Sequence, residues 1–261
     1  MRQPAALFPI ALALGAIVLV PEASAREPLP IKACQTISQP GSYELANNLT
    51  ATGDCLVITA SFVTIDLAGF SISTTNGAAI RATPPSGSPL SGIAVRNGSI
   101  SSSLGEGVAL AERDQAGNLT DGADGSIVEN LRVSTGGDGI RAKGIVRGNT
   151  VVGSLPFATQ IIASGVIIDN YVTGAERRGN GIIATGVVRG NAALNSGAVG
   201  IGVGVGSTVV GNSAIGSFLH GISADCPANL TDNTAVNTVS STDLALIGQG
   251  CHNEDNVAPK Q

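Results

Sequence analysis

Apolar and polar positions recur along this chain at one interval. Asn149, Asn170, Asn191, Asn212 and Asn233 fall at every twenty-first position. Asn130 precedes the first by two positions less than that interval, and Asn256 follows the last by two positions more. With that Asn as origin, an apolar residue stands three positions earlier (Val146, Ile167, Val188, Val209, Leu230) and another two later (Val151, Val172, Ala193, Ala214, Ala235). A third stands nine earlier (Ile140, Ile161, Ile182, Val203). Gly or Ser lies five before (Gly144, Gly165, Gly186, Ser207), and Gly or Asn four after (Gly153, Gly174, Asn195, Gly216, Asn237). Inside the short runs the alternation has a period of two, which makes them strands rather than helices. Gly and Asn mark the bends because they take left-handed backbone angles at little cost.

A fixed period of this length is the signature of a solenoid. One interval divides into three short strands and three bends, a single turn of a right-handed parallel β-helix. A left-handed coil would carry a hexapeptide sub-period and a calcium-binding array a nonapeptide one; the chain has neither. The expected fold is therefore all-β, a single domain of about eight to ten turns from Pro30 to about Asn256, with a narrow interior of Val, Ile, Leu and Ala. The repeating Asn column (Asn130, Asn149, Asn170, Asn191, Asn212, Asn233) is read as a ladder. A primary amide has two donors and an acceptor, enough to bond the amide above and the turn backbone. The competing reading is a row of surface turn residues.

Two segments break the rhythm. Residues 82–91 (ATPPSGSPLS) form a Pro/Ser loop. An insertion over 104–125 makes the interval from Asn97 to Asn130 twelve positions longer than one turn. Both are expected to project from the coil. Residues 30–60 would form the N-terminal cap of the coil, and 257–261 a polar, flexible tail.

Composition narrows the setting. Residues 1–25 have the form of a secretory signal, with Arg2, an apolar stretch over 5–20 and the small residues Ala23-Ser24-Ala25 before cleavage. A membrane anchor is the alternative, and no later stretch is long and apolar enough to span a bilayer. The chain is thus expected to be secreted or periplasmic. The net charge of −5, with no basic run, argues against nucleic acid as a partner. The cysteines are Cys34, Cys55, Cys226 and Cys251. An even number in an exported chain reads as disulfides. Cys34 and Cys55 are one full interval apart, so they stack about 4.8 Å apart, within reach of a disulfide. The pairing expected is Cys34–Cys55 and Cys226–Cys251. Zinc is the alternative, without any CxxC or His spacing to support it.

Residues 37–73 (ISQPGSYELANNLTATGDCLVITASFVTIDLAGFSIS) and the later GxGI…VxGN repeats resemble secreted bacterial right-handed β-helix proteins of the pectate-lyase-like superfamily. The resemblance covers nearly all of the expected mature chain. It implies a fold, and with it polysaccharide lyases, hydrolases and epimerases as relatives. Such enzymes carry calcium-binding aspartates with a basic residue nearby, or several aspartates on adjacent turns. Here only Gly137-Asp138-Gly139 and His220-Gly221 echo those sites.

The candidate chemistry is sparse. Asp138, Thr159 and Asn180 form a polar column eleven positions before the Asn, which His220 and Asp243 are expected to continue; Asp138, Arg141 and His220 are the candidate catalytic residues. Asp114, Asp121 and Asp124 in the insertion could offer oxygens to calcium, though a solvated acidic loop is preferred and no cofactor is expected. Arg141, Lys143, Arg147, Arg177, Arg178 and Arg189 could hold an acidic polysaccharide or serve solubility. With no full catalytic set, the reading is an exported binding or structural solenoid for a glycan or surface component. An enzyme acting on an acidic glycan is the alternative, and a module docking end to end a third. Oligomeric state is not set by the sequence.

Overall fold

The computed structural model describes residues 27–85, 88–114, 119–174 and 178–260; the expected signal over 1–25 and Arg177 lie outside them. Every regular element among the described residues is a β-strand, and the chain winds into a right-handed parallel β-helix of about ten turns. Three faces run the length of the coil. On face I, Ile140 pairs with Ile161, then Ile182, Ile201, Ile222 and Leu244. Face II stacks Val95, Val128, Val146, Ile167, Val188, Val209 and Leu230. Face III stacks Leu49, Ile72, Ile100, Val133, Val151, Val172, Ala193, Ala214 and Ala235. All of these side chains are buried and together make the core. The face III column shrinks from Ile and Val to Ala toward the end of the chain, so the interior narrows there.

In the central turns faces I and II merge into single bent strands, Ile140–Arg147, Thr159–Ile168 and Asn180–Arg189. The bend falls on Gly144, Gly165 and Gly186, at φ of 150°, 125° and 116°. A Cβ on Gly165 or Gly186 would collide with the carbonyl of the glycine one turn before, so a side chain is excluded by space as well as by angle.

The asparagine column lies at the turn between faces II and III and is buried from Asn149 to Asn233. The Asn149 amide donates to Asn170 Oδ1 at 3.0 Å, and the same bond recurs from Asn170 to Asn191, Asn191 to Asn212, Asn212 to Asn233 and Asn233 to Asn256. Each acceptor oxygen also takes the backbone N–H of the Asn before it. Asn130 is not a member. Glu129 pairs with Arg147 and Arg132 with Thr150, which sets Leu131 opposite Asn149 and Asn130 opposite Gly148. Asn130 is exposed at φ 55°, in the left-handed column with Gly148, Asp169, Gly190 and Gly211. Its shortened interval to Asn149 was the sign that it falls out of step.

Both loops leave the coil at the corner between faces I and II. Val108–Ala109 still pairs with Ile80 and Ile140 on face I, so the second insertion begins after Ala109 rather than at Leu104. The loops pair into a small sheet of their own: Leu90 lies parallel to Ala123, and Ala111 lies antiparallel to Gly122. Cys34 is bonded to Cys55 and Cys226 to Cys251, with Cα separations of 4.5 and 4.9 Å. Residues 257–260 do not hang free as a tail. Val257 bridges to Thr234, Lys260 N–H donates to Asp243 Oδ2 at 3.0 Å, and Asp243 N–H donates to the Lys260 carbonyl, so the segment covers the edge of the last turn.

Candidate functional site

Face I carries the charged chemistry. The tripeptide Ile-Arg-Ala occurs at residues 80–82 and again at 140–142, and in both the Ile points inward and the Arg outward. Arg81 and Arg141 stand two turns apart, with Ala109 in the turn between them. The small Ala109 leaves a gap that Glu106 fills from the corner. Its carboxylate bridges both guanidiniums, Oε2 to Arg81 at 3.1 Å and Oε1 to Arg141 at 2.7 Å. Glu112, on the second loop, reaches the same pair at 3.3 and 3.9 Å. Asp54 binds Arg81 Nε at 3.0 Å. Asp138 forms longer ion pairs with Arg141 at 3.7 Å and with Arg113 at 3.6 Å.

Burial pushes the Glu106 carboxyl above its ordinary value; Arg141 and Arg81 pull it down, and Asp138 and Glu112 raise it again. Burial alone would lower Arg81, but Glu106, Asp54 and Glu112 outweigh it and its affinity for the proton rises. Every acid in the cluster already faces a guanidinium. The network therefore clamps the second loop onto the coil, and Lys143 adds to it by bonding Asp124 at 2.8 Å and the Thr120 carbonyl at 3.2 Å.

The structure brings Asp138 and Arg141 together and leaves His220 apart. Asp138, Thr159, Asn180, Val199 and His220 do share one column, joined by Thr159 N–H to Asp138 Oδ1 at 2.9 Å and Val199 N–H to Asn180 Oδ1 at 3.2 Å. His220 stands four turns from Asp138 and bonds Thr242 Oγ1 at 2.9 Å. Thr242 continues the column, not Asp243. The register places Asp243 one position on, where it is buried and accepts from Thr238 N–H at 2.8 Å. Burial would raise the Asp243 carboxyl, but the Thr238 and Lys260 donors hold it below the ordinary range. No group of three or more His, Cys, Asp or Glu side chains among the described residues is placed to hold a metal, so Asp114, Asp121 and Asp124 do not converge. Elsewhere Arg147 pairs with Glu129 at 2.6 Å, and Arg178 lies 5.9 Å from the centre of the Phe157 ring.

Next to the clamp is a groove of about 550 Å³ along the outside of face I. Two outward columns form its floor. One runs Ile162, Ile183, Gly202, Ser223; the other runs Ser164, Thr185, Gly204, Asp225. Side chains fall away at Gly202 and Gly204, and that step opens the groove. Arg113 and Leu119 of the second loop wall it at one end, and Asp225 lines it at the other. A smaller hollow of about 430 Å³ lies among Pro84, Pro85, Pro89, Glu112 and Asp121.

Sequence reasoning missed the network around Arg141: Glu106 and Glu112 pair with it and with Arg81, Asp54 pairs with Arg81, and Arg113 pairs with Asp138. One signal was present, the repeated Ile-Arg-Ala. Both loops fall between its two copies, and the inflated interval hid that they stack.

No protein-family model matches the chain, and no curated protein matches its sequence. Among solved structures it is similar to the A-module of the Azotobacter vinelandii mannuronan C-5 epimerase AlgE6, at 12% identity over 90% of each chain with a TM-score of 0.39. It is also similar to the AlgE4 A-module of the same organism, at 11% identity over 86% of each chain with a TM-score of 0.27. These likenesses carry no argument about activity. What the strand register itself shows is a parallel β-helix repeat protein.

Proposed function

We propose that this chain is an exported carbohydrate-binding β-helix that holds a short stretch of glycan in the groove on face I. One observation carries the reading: the groove combines an apolar floor (Ile162, Ile183) with Ser164, Thr185 and Asn180 and a single guanidinium, Arg113. Apolar surface with a few placed polar groups is the usual make-up of a small-ligand site, and the volume falls within the ~300–1,000 Å³ such sites occupy. Its partner would be a polysaccharide or another surface component. Two disulfides fit an extracytoplasmic protein, and no helix among the described residues is long and apolar enough to cross a membrane.

The test is titration of the purified chain with oligosaccharides by calorimetry, beside Gly202→Leu. The one close contact of a Cβ at Gly202 is the flexible tip of Ile183, so the variant fills the groove at little cost to the backbone. Affinity should fall at least about tenfold, roughly 1.4 kcal/mol. Equal binding by both proteins would sink the reading.

The second reading is chemistry on an acidic glycan, favoured by one observation: Glu106 has a raised carboxyl between two arginines and near Asp138. An acid whose carboxyl is held above its ordinary value by burial is suited to proton transfer. Accumulation of unsaturated uronate from an acidic glycan with calcium present, abolished in Glu106→Gln, would establish it.

A further inference from the structure

The two ends of the groove differ in charge. Arg113 stands at one end with one ion pair, a long one of 3.6 Å to Asp138, and its side chain is one-third exposed. Its remaining N–H groups have no carboxylate within ion-pair distance among the described residues. At the other end Asp225 is exposed and makes no side-chain hydrogen bond or ion pair among the described residues. Asn180, Ser164, Thr185 and Ser223 between them are neutral. Asp138, which holds Arg113, belongs to the turn of Ile140, and Asp225 to the turn of Ile222. Those turns are four steps apart, roughly 20 Å at the spacing of neighbouring strands. That exceeds the Debye length of about 8 Å at physiological salt, so each charge acts on its own neighbourhood of the ligand.

We infer that the groove takes a glycan of mixed charge, with an acidic unit at Arg113 and an uncharged, hydroxyl-bearing unit at Asp225, and that a homopolymer of uronates is not its ligand. The inference rests on the glycan-binding reading above. The chemistry at each end is specific. A guanidinium offers a planar fork of N–H donors that matches a carboxylate. A free carboxylate is an acceptor only, so it bonds sugar hydroxyls and repels a uronate placed against it. A chain of uronates long enough to touch both ends gains at Arg113 and loses at Asp225. A mixed chain gains at both.

The experiment compares three oligosaccharides of equal length by calorimetry: all-uronate, all-neutral hexose, and alternating uronate and neutral hexose. The alternating one should bind tightest. Asp225→Asn should improve the all-uronate affinity about fivefold, and Asp225→Lys should make it the preferred ligand. Arg113→Gln should bring the alternating glycan down to the level of the neutral one. Asp225 is exposed, so its variants test the idea without touching the core, and circular dichroism verifies that Arg113→Gln keeps its strands. If the all-uronate ligand binds tightest to the unmodified chain, or if both Asp225 variants leave the ranking unchanged, the inference is overturned while the binding reading stands. If none of the three binds, both fall.

Discussion

From Ile140 to Val236 each turn lies over the last without a loop, with one slip on face I, where Ile182 pairs with Ile201 rather than with Val203; between Ile80 and Val128 the same three faces are cut by two loops. The cross-section is common to both regions. In the regular region it is held by repetition: two interior residues on face I and one on each of the other faces stack on their copies, and one amide at the corner bonds to its copy. In the interrupted region Leu131 takes the place opposite Asn149, the amide chain stops, and charge takes over. Arg81, Arg113 and Arg141 with four carboxylates gather at the base of the loops. A solenoid corner can lengthen only where something else satisfies the side chains that the next turn would have covered, and here Glu112 of the second loop joins Asp54, Glu106 and Asp138 of the coil in doing so.

The largest break in this comparison is Asn191→Leu, in the middle of the ladder. The side chain accepts from Asn170 N–H and from the Asn170 amide, and donates to the carbonyls of Ile167 and Arg189 and to Asn212. Removing it orphans the buried Asn170 N–H, worth about 1–3 kcal/mol, and loses several bonds of about 1 kcal/mol each. The expected loss in denaturant unfolding is about 3–5 kcal/mol. A loss under about 1 kcal/mol, the worth of a single bond, would mean that the ladder is ornament on a coil held by its aliphatic columns alone.

Arg141→Met should cost less, about 2 kcal/mol. Breaking a fully buried ion pair costs about 3–5 kcal/mol, but Glu106 keeps Arg81 at 3.1 Å and Glu112 is half open to water. Hydrogen exchange should rise at Val108 and Ala109, which sit between the two arginines, and stay unchanged at Val188 and Val209. Equal loosening of both regions would show that the coil unfolds as one unit and that the clamp is not local.

The contrast also explains what could be read from the chain. The regular turns were legible because a residue and its spatial neighbour are a constant interval apart, so Asn149 through Asn233 reveal both period and stacking. The Cys34–Cys55 pair was legible for the same reason. The clamp was not, because the path from Arg81 to Arg141 runs through both loops, and contacts across loops of variable length have no period. The groove was harder still. It is made by the absence of side chains at Gly202 and Gly204, and in a chain with 35 glycines two more carry no signal.

The finest test of the comparison is pH, because each region holds one acid shifted in the opposite sense. Glu106, in the interrupted region, has its carboxyl raised above 4.5, chiefly by burial. The folded chain therefore holds that proton more tightly than the unfolded one. Its favourable contribution is complete below the ordinary value and drains away as pH rises through the raised one. Asp243, at the end of the regular region, has its carboxyl lowered below 3.8; burial works against this, and the Thr238 and Lys260 donors prevail. Its contribution is complete above the ordinary value and is lost as pH falls through the lowered one. Urea unfolding across a pH series, with Glu106→Gln and Asp243→Asn beside the unmodified chain, separates the two. The stability of the unmodified chain relative to Glu106→Gln should decline as pH rises above 4.5, and relative to Asp243→Asn it should decline as pH falls below 3.8. A Glu106 difference that grows with pH would mean that Arg81 and Arg141 outweigh burial, and the clamp would then be a source of stability at neutral pH rather than a means of holding the loop in place.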